Sequence, residues 1–130
     1  MLNKVQVLSL VTVGAIFWIL ATLYIHFLPG AFTNPVQGAI GFITTLPIAW
    51  LSVLLTKWVG RLSAEQLLLG VGIVGAFAMM IDGIALRWFP VAYSGDPLTL
   101  RLGAAWLLWG YGVSLCIAIL MSAHEKQRVP

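Results

Sequence analysis

Few residues in this chain are equipped for chemistry, and they gather around one stretch. Ile81-Asp82-Gly83-Ile84-Ala85-Leu86-Arg87-Trp88-Phe89-Pro90 places a single acidic residue inside a long apolar segment, shortly before a turn. A carboxyl group in that setting can bind a cation, pass a proton or close an ion pair. The basic side chains that could share a polar site with Asp82 are Arg101, Arg87 and His26. By helix rise, Asp82 lies about 9 Å inside the end of its helix and Arg101 about 6 Å inside the start of the next, so the two are expected to pair across one hairpin. An unpaired charge at a helix centre costs about 2.5–3.5 kcal/mol even on insertion scales, which is why a partner is expected. Arg87, five residues from Asp82, turns to another side of the helix and can reach headgroups directly. Thr22 and Tyr111 are further candidate wall groups.

The remaining chemistry is thin. His26 reads as an interfacial residue at a helix end; the other histidine, His124, belongs to the opposite side, so no bis-histidine haem site is expected. Cys116 is the only cysteine, which excludes an intrachain disulfide, a CxxC redox centre and a thiolate metal site, and reads as a packing residue. No nucleophile with a base, no set of metal ligands and no phosphate-binding loop can be assembled. The expectation is a protein that is not an enzyme and uses no metal or cofactor.

The elements that must position Asp82 follow from composition. Of 130 residues, 61% are hydrophobic and 8% charged, with a mean hydropathy of +1.01, too little polar surface to keep a globular domain in water. The solvent is therefore lipid. The net charge of +3 is spread over span ends, which fits membrane orientation and not a phosphate-binding face, so no nucleic-acid partner is expected. A span needs about 20 apolar residues, and four of them fill the chain.

The first is expected over 5–28, too long for a signal-peptide core and followed by Leu28-Pro29-Gly30. Asn34-Pro35, a cap followed by proline at the first helical position, opens a second over 35–58, with Pro47 inside it as a kink. Ser63 and Gln66 have capping-box spacing and predict a third over 64–88. After Phe89-Pro90 and a Tyr93-Ser94-Gly95 turn, Asp96-Pro97 repeats the cap-plus-proline signal for a fourth over 98–122, leaving a frayed polar tail from His124 to Pro130. Lys4, Lys57, Arg61, Lys126 and Arg128 fall on one side and only Arg87 and Arg101 on the other, which predicts cytoplasmic termini, most simply in a bacterial inner membrane.

The two outer turns read alike. His26-Phe27-Leu28-Pro29-Gly30-Ala31-Phe32-Thr33-Asn34-Pro35 corresponds to Arg87-Trp88-Phe89-Pro90-Val91-Ala92-Tyr93-Ser94-Gly95-Asp96-Pro97 with Gly95 inserted. The register extends upstream to Val13-Gly14-Ala15 on Val74-Gly75-Ala76, and downstream to Gly41 on Gly103 and Ser52 on Ser114. This predicts an all-α, polytopic bundle made of two parallel-repeat helical hairpins. In that register Asp82 stands opposite Ala21 and Arg101 opposite Ala39, so the charges are particular to the second hairpin.

Other patterns read as packing. Gly110, Ser114, Ala118 and Ser122 recur every four residues, as do Gly72 and Ala76, spacings that let helices approach closely within the bundle or between copies. Trp58, Trp88 and Tyr93 fall where an aromatic belt belongs, whereas Trp18, Trp50, Trp106 and Trp109 lie deeper, so at least some are expected to face other helices, where their indole N–H groups can find carbonyls.

Phe17-Trp18-Ile19-Leu20-Ala21-Thr22, Ile81-Asp82-Gly83 and Ala105-Trp106-Leu107-Leu108-Trp109-Gly110-Tyr111-Gly112 resemble a family of small bacterial four-span membrane proteins classed as a domain of unknown function. The resemblance implies a bacterial membrane protein and no activity. The small multidrug-resistance transporters are similar in length and span number, but their defining acidic residue lies in the first helix, which here has none. The expected role is an accessory or structural membrane subunit whose partners are the bilayer and either its own copies or another membrane protein. The alternative is a small proton- or cation-coupled transporter or channel using Asp82.

Overall fold

The computed structural model describes residues 2–128, with side chains through residue 125. Among these the chain is all-helical, and four helices are long and apolar enough to cross a membrane. Helix α1 (Lys4–Phe27) starts from a reciprocal cap in which Asn3 accepts from the Gln6 amide and Gln6 accepts from the Asn3 amide. It ends at Leu28, and a single helical turn, α2 (Gly30–Thr33), follows Pro29. Asn34 caps α3 (Pro35–Val59) through the amides of Val36 and Gln37, as its place before proline predicts.

Helix α3 is continuous through Pro47. Near the proline, Thr44 and Thr45 donate to the Gly41 carbonyl and the Trp109 indole of a neighbouring helix donates to the Phe42 carbonyl. The helix closes in a Schellman arrangement: Leu62 N–H reaches Lys57 O and Arg61 N–H reaches Trp58 O. Arg61 takes the left-handed position (φ 50°) where glycine usually stands. This geometry turns Leu62 into the core, into space left by Gly70, where a Cβ would collide with the Leu62 methyls.

Helix α4 (Leu67–Trp88) begins three residues later than the capping-box spacing predicts. The Gln66 side chain does accept from the Ser63 amide, but Ser63 makes no return cap, and the Gln66 amide donates to Ser63 O, closing a turn over 63–66. Gln6 ties that turn to α1, donating to Gln66 Oε1 and to the carbonyls of Gly60 and Arg61. After Trp88 a short 3₁₀ turn (Pro90–Ala92) leads to α5 (Pro97–Arg128), whose first turn is held by Asp96 accepting from the Thr99 amide and hydroxyl. Helix α5 outruns its predicted end because its polar last turns are anchored: Ser122 donates to Ala64 O, and Glu125 pairs with Lys57 at 2.7 Å. Of the tail expected to fray from His124, the part up to 128 is helical and 129–130 lie outside the described residues.

The exposed faces of the long helices are apolar, with Leu8, Ile43, Met80, Leu108 and Leu120 all pointing outward, as a bilayer requires. Cys116 is also on this outer surface, not in the packing. Inside are two apolar cores, one at each end. Leu10, Val13, Val53, Leu62, Leu67, Val71, Val74 and Ala118 fill the end that carries the termini. Ile25, Phe32, Ala85, Tyr93 and Leu107 fill the end that carries the proline turns. The closest pairs are α1 with α4 and α3 with α5, followed by α4 with α5; α1 and α3, although consecutive spans, make little contact. Small residues serve these internal contacts: a Cβ on Gly14 would stand 3.1 Å from Val74 O. The C-terminal part of the four-residue ridge of α5 also faces inward, with Ala118 fully buried and Ser122 bonded to Ala64.

Candidate functional site

Asp82 lies on α4, and only 5% of it is exposed. Two tyrosines hold it. Tyr93, from the turn after α4, folds back into the bundle until it is completely buried, and its hydroxyl donates to Asp82 Oδ1. Tyr111, from the middle of α5, donates to Asp82 Oδ2. The Trp18 indole N–H of α1 then donates to the Tyr93 hydroxyl at 2.9 Å. The chain Trp18–Tyr93–Asp82–Tyr111 thus links α1, the second turn, α4 and α5 through one carboxyl group. Hydrogen bonds from hydroxyl to carboxylate are among the stronger ones available, and burial away from water strengthens them. Burial, with the Asp82 carboxylate beside it, pushes the Tyr93 phenol above its ordinary range, so its proton stays in place as a donor. Thr22, one turn after Trp18 on the same face of α1, is buried beside the cluster, and its hydroxyl has no hydrogen-bond partner among the described residues.

The cationic residues predicted around Asp82 are elsewhere. Arg101 is exposed and makes no ion pair among the described residues; Arg87 is exposed, its guanidinium 5.4 Å from the centre of the Trp88 ring; His26 is exposed, edge-on to Phe27 at 4.8 Å. The pairing of Asp82 with Arg101 assumed that α4 ends and α5 begins at the same depth. Eight residues separate the two helices, and the observed contact with Tyr111 sets Asp82 beside a deeper part of α5. Arg101, ten residues earlier, is about 15 Å away along the axis and roughly 80° around it.

Of the groups that bind Asp82, Tyr111 was expected as a wall residue. Tyr93 reads from sequence as a belt aromatic, and the structure contradicts this: it is buried, whereas Trp58 and Trp88 are 77% and 63% exposed. A signal for it does exist in the chain, because the aligned turns put Tyr93 opposite Phe32 and Asp82 opposite Ala21, so a hydroxyl and a carboxyl are added together. Trp106 and Trp109 find acceptors as well, in Thr45 Oγ1 and Phe42 O, whereas Trp50 is exposed and bonds to none of the described residues.

Beside this cluster is a cavity of about 400 Å³ lined by residues of all four long helices. Tyr111 forms part of its wall, while Asp82 does not. The arrangement is therefore a buried, neutral-donor clamp on a carboxyl group, adjoining an apolar space without opening the carboxyl to it. Compared with known proteins, the chain matches no protein family, no curated protein and no solved structure.

Proposed function

We propose that this chain is an accessory or structural subunit of a bacterial inner membrane, with both termini cytoplasmic, working beside another membrane protein or its own copies. The observation that carries this reading is the fate of Asp82: both carboxyl oxygens are taken by tyrosine hydroxyls in a buried site. The acidic residue that a carrier would present to an ion is used here to fasten the second turn to α4 and α5. Support for the orientation comes from Lys4, Lys57 and Arg61 at the end with the termini, against Arg87 and Arg101 at the other. The two outer turns, alike in sequence, favour an origin as two parallel-repeat hairpins.

A proton- or cation-coupled transporter is the competing reading, since Tyr111 touches both Asp82 and the cavity. Reconstitution of the protein and its Asp82→Asn variant in proteoliposomes separates the two. The structural role predicts no proton-linked flux in the parent and a loss of thermal stability in the variant. Flux in the parent that disappears in a folded Asp82→Asn protein overturns it.

A further inference from the structure

The cavity between the spans has features of a place kept open. Glycine in the middle of a helix is about 1 kcal/mol less favourable than alanine, so it needs a reason. Elsewhere in this bundle the reason is close packing: a Cβ on Gly14 would meet Val74 O, and one on Gly103 would stand 3.1 Å from Ile25. Three glycines on three different helices, Gly41, Gly75 and Gly110, line the cavity without such a constraint. A Cβ on Gly41 would meet nothing within 4 Å, one on Gly75 only the Met79 methyl at 3.7 Å, and one on Gly110 only Thr45 Cγ2 at 3.9 Å. None of them has a positive φ. Of the other unconstrained glycines within the long helices, Gly83 and Gly112 are on exposed faces, and Gly72 is half-buried away from the cavity. At the three cavity positions the absent side chain corresponds to the empty volume itself.

The shape and chemistry of that volume define its occupant. Along α3 the wall runs from Gly41 to Thr56, about 22 Å of helix rise, so the cavity of about 400 Å³ is elongated along that helix. A long apolar space suits an extended hydrocarbon chain. The wall asks for no polar ligand, because its hydroxyls are mostly committed: Thr44 and Thr45 to Gly41 O, Ser52 to Ile48 O, Thr56 to Ser52 O and Tyr111 to Asp82. Only Tyr24 and Ser114 keep hydroxyls outside these bonds. The wall is shared by α1 and α3, which hardly touch, and includes Leu20 and Ile48, 59% and 58% exposed, so the space communicates with the surrounding hydrocarbon between these two helices.

We propose that the cavity is a lateral binding site for one acyl chain of a membrane phospholipid, entering between α1 and α3 and lying along α3. The proposal rests on the membrane-spanning character of the four helices and is independent of the role given to Asp82. Its test uses the full-length protein extracted in mild detergent. Native mass spectrometry is expected to find a single phospholipid retained per chain, and a phospholipid with brominated acyl chains, supplied at stoichiometric amounts, is expected to quench the Trp106 part of the tryptophan emission, identified by difference from Trp106→Phe. Filling the space with Gly41→Leu plus Gly75→Leu is expected to weaken retention by at least about tenfold. Gly83→Leu, the same change on an exposed face, is expected to leave it unchanged. A parent protein that emerges free of phospholipid overturns the proposal whatever the variants do. So does a retained isoprenoid or other non-phospholipid mass, or equal retention by the folded double variant.

Discussion

The turn between α1 and α3 and the turn between α4 and α5 share a backbone. In the first, the amides of Ala31, Phe32 and Thr33 donate to the carbonyls of Leu28, Pro29 and again Pro29, at 3.0, 3.0 and 3.1 Å. In the second, Ala92, Tyr93 and Ser94 donate to Phe89, Pro90 and again Pro90, at 3.0, 3.0 and 3.1 Å. The residues that end the preceding helices agree too, Leu28 at φ −128°, ψ 56° and Phe89 at φ −132°, ψ 49°. Each turn sends one aromatic ring into the same core. Phe32 meets Tyr24 and Trp106 edge to face, with centroids 5.3 and 5.5 Å away, and needs no polar partner. Tyr93 carries a hydroxyl and meets Asp82.

The contrast extends beyond the rings. In the aligned register, the positions of Asp82, Tyr93 and Tyr111 are held in the first hairpin by Ala21, Phe32 and Ala49. Where the second hairpin is fastened by a carboxyl between two phenols, the first has two methyl groups, and both Ala21 and Ala49 line the cavity. The packing follows the chemistry: α4 and α5 are in close contact, α1 and α3 are not. One hairpin is clamped and the other open, on the same backbone turn. The three polar residues belong together, because a buried carboxyl without donors, or two buried phenols without an acceptor, is more costly than the apolar set.

Asp82→Ala should break this comparison most severely. It leaves the Tyr93 and Tyr111 hydroxyls without their acceptor and opens a small void, for an expected loss of about 3 kcal/mol. The mirrored change, Ala21→Asp, adds a carboxyl whose aligned counterparts in its own hairpin, Phe32 and Ala49, can donate nothing, and should cost a similar amount. Thermal unfolding in detergent checks both, and a loss for Asp82→Ala no greater than for the peripheral Trp18→Phe would refute the clamp. Tyr93→Phe, which gives the second turn the ring of the first, should cost about 1–2 kcal/mol while leaving the ring packed. Combined with Asp82→Ala its effect should largely vanish, a coupling of about 1 kcal/mol or more in a double-mutant cycle. Additive losses would mean that Tyr93 acts through its ring alone.

The parts of this molecule that were legible in the sequence are those set by local rules. Apolar runs of sufficient length, and Asn34-Pro35 and Asp96-Pro97 as starts, depend on residues within a few positions of each other, and the helices begin there. Ser63 and Gln66 show the limit of such rules, because the same spacing serves a capping box and a closed turn, and the turn formed here is also tied to Gln6, sixty residues away. That Asp82 is the exceptional residue could be read from its charge. Its partners could not, because they depend on the depth of α5 against α4 and on a turn folding back, neither of which has a local signature. Electrostatic complementarity pointed to Arg101; an exposed arginine can be satisfied by headgroups, whereas a buried phenol requires an acceptor nearby.

The smallest difference between the two turns is in their caps, and it is separable by pH. Asn34 accepts the amides of Val36 and Gln37 with a neutral carboxamide, at 3.0 and 3.1 Å. Asp96, its aligned counterpart, accepts the Thr99 hydroxyl at 2.7 Å and the Thr99 amide at 3.1 Å. Those bonds, the hydroxyl first, hold the exposed Asp96 carboxyl below the ordinary aspartate value of 3.8. A carboxyl lowered in the folded state stabilises the fold above its ordinary value, and the contribution disappears as pH falls through the folded one. Stability is then expected to decline on the acid side in the parent and to decline less in Asp96→Asn, while Asn34→Asp adds a second acid-sensitive cap. Asp82 is present in all three proteins, so the differences between their unfolding curves isolate the caps. Curves for the parent and Asp96→Asn that stay parallel through the ordinary aspartate range would show that Asp96 holds α5 no differently from the way Asn34 holds α3.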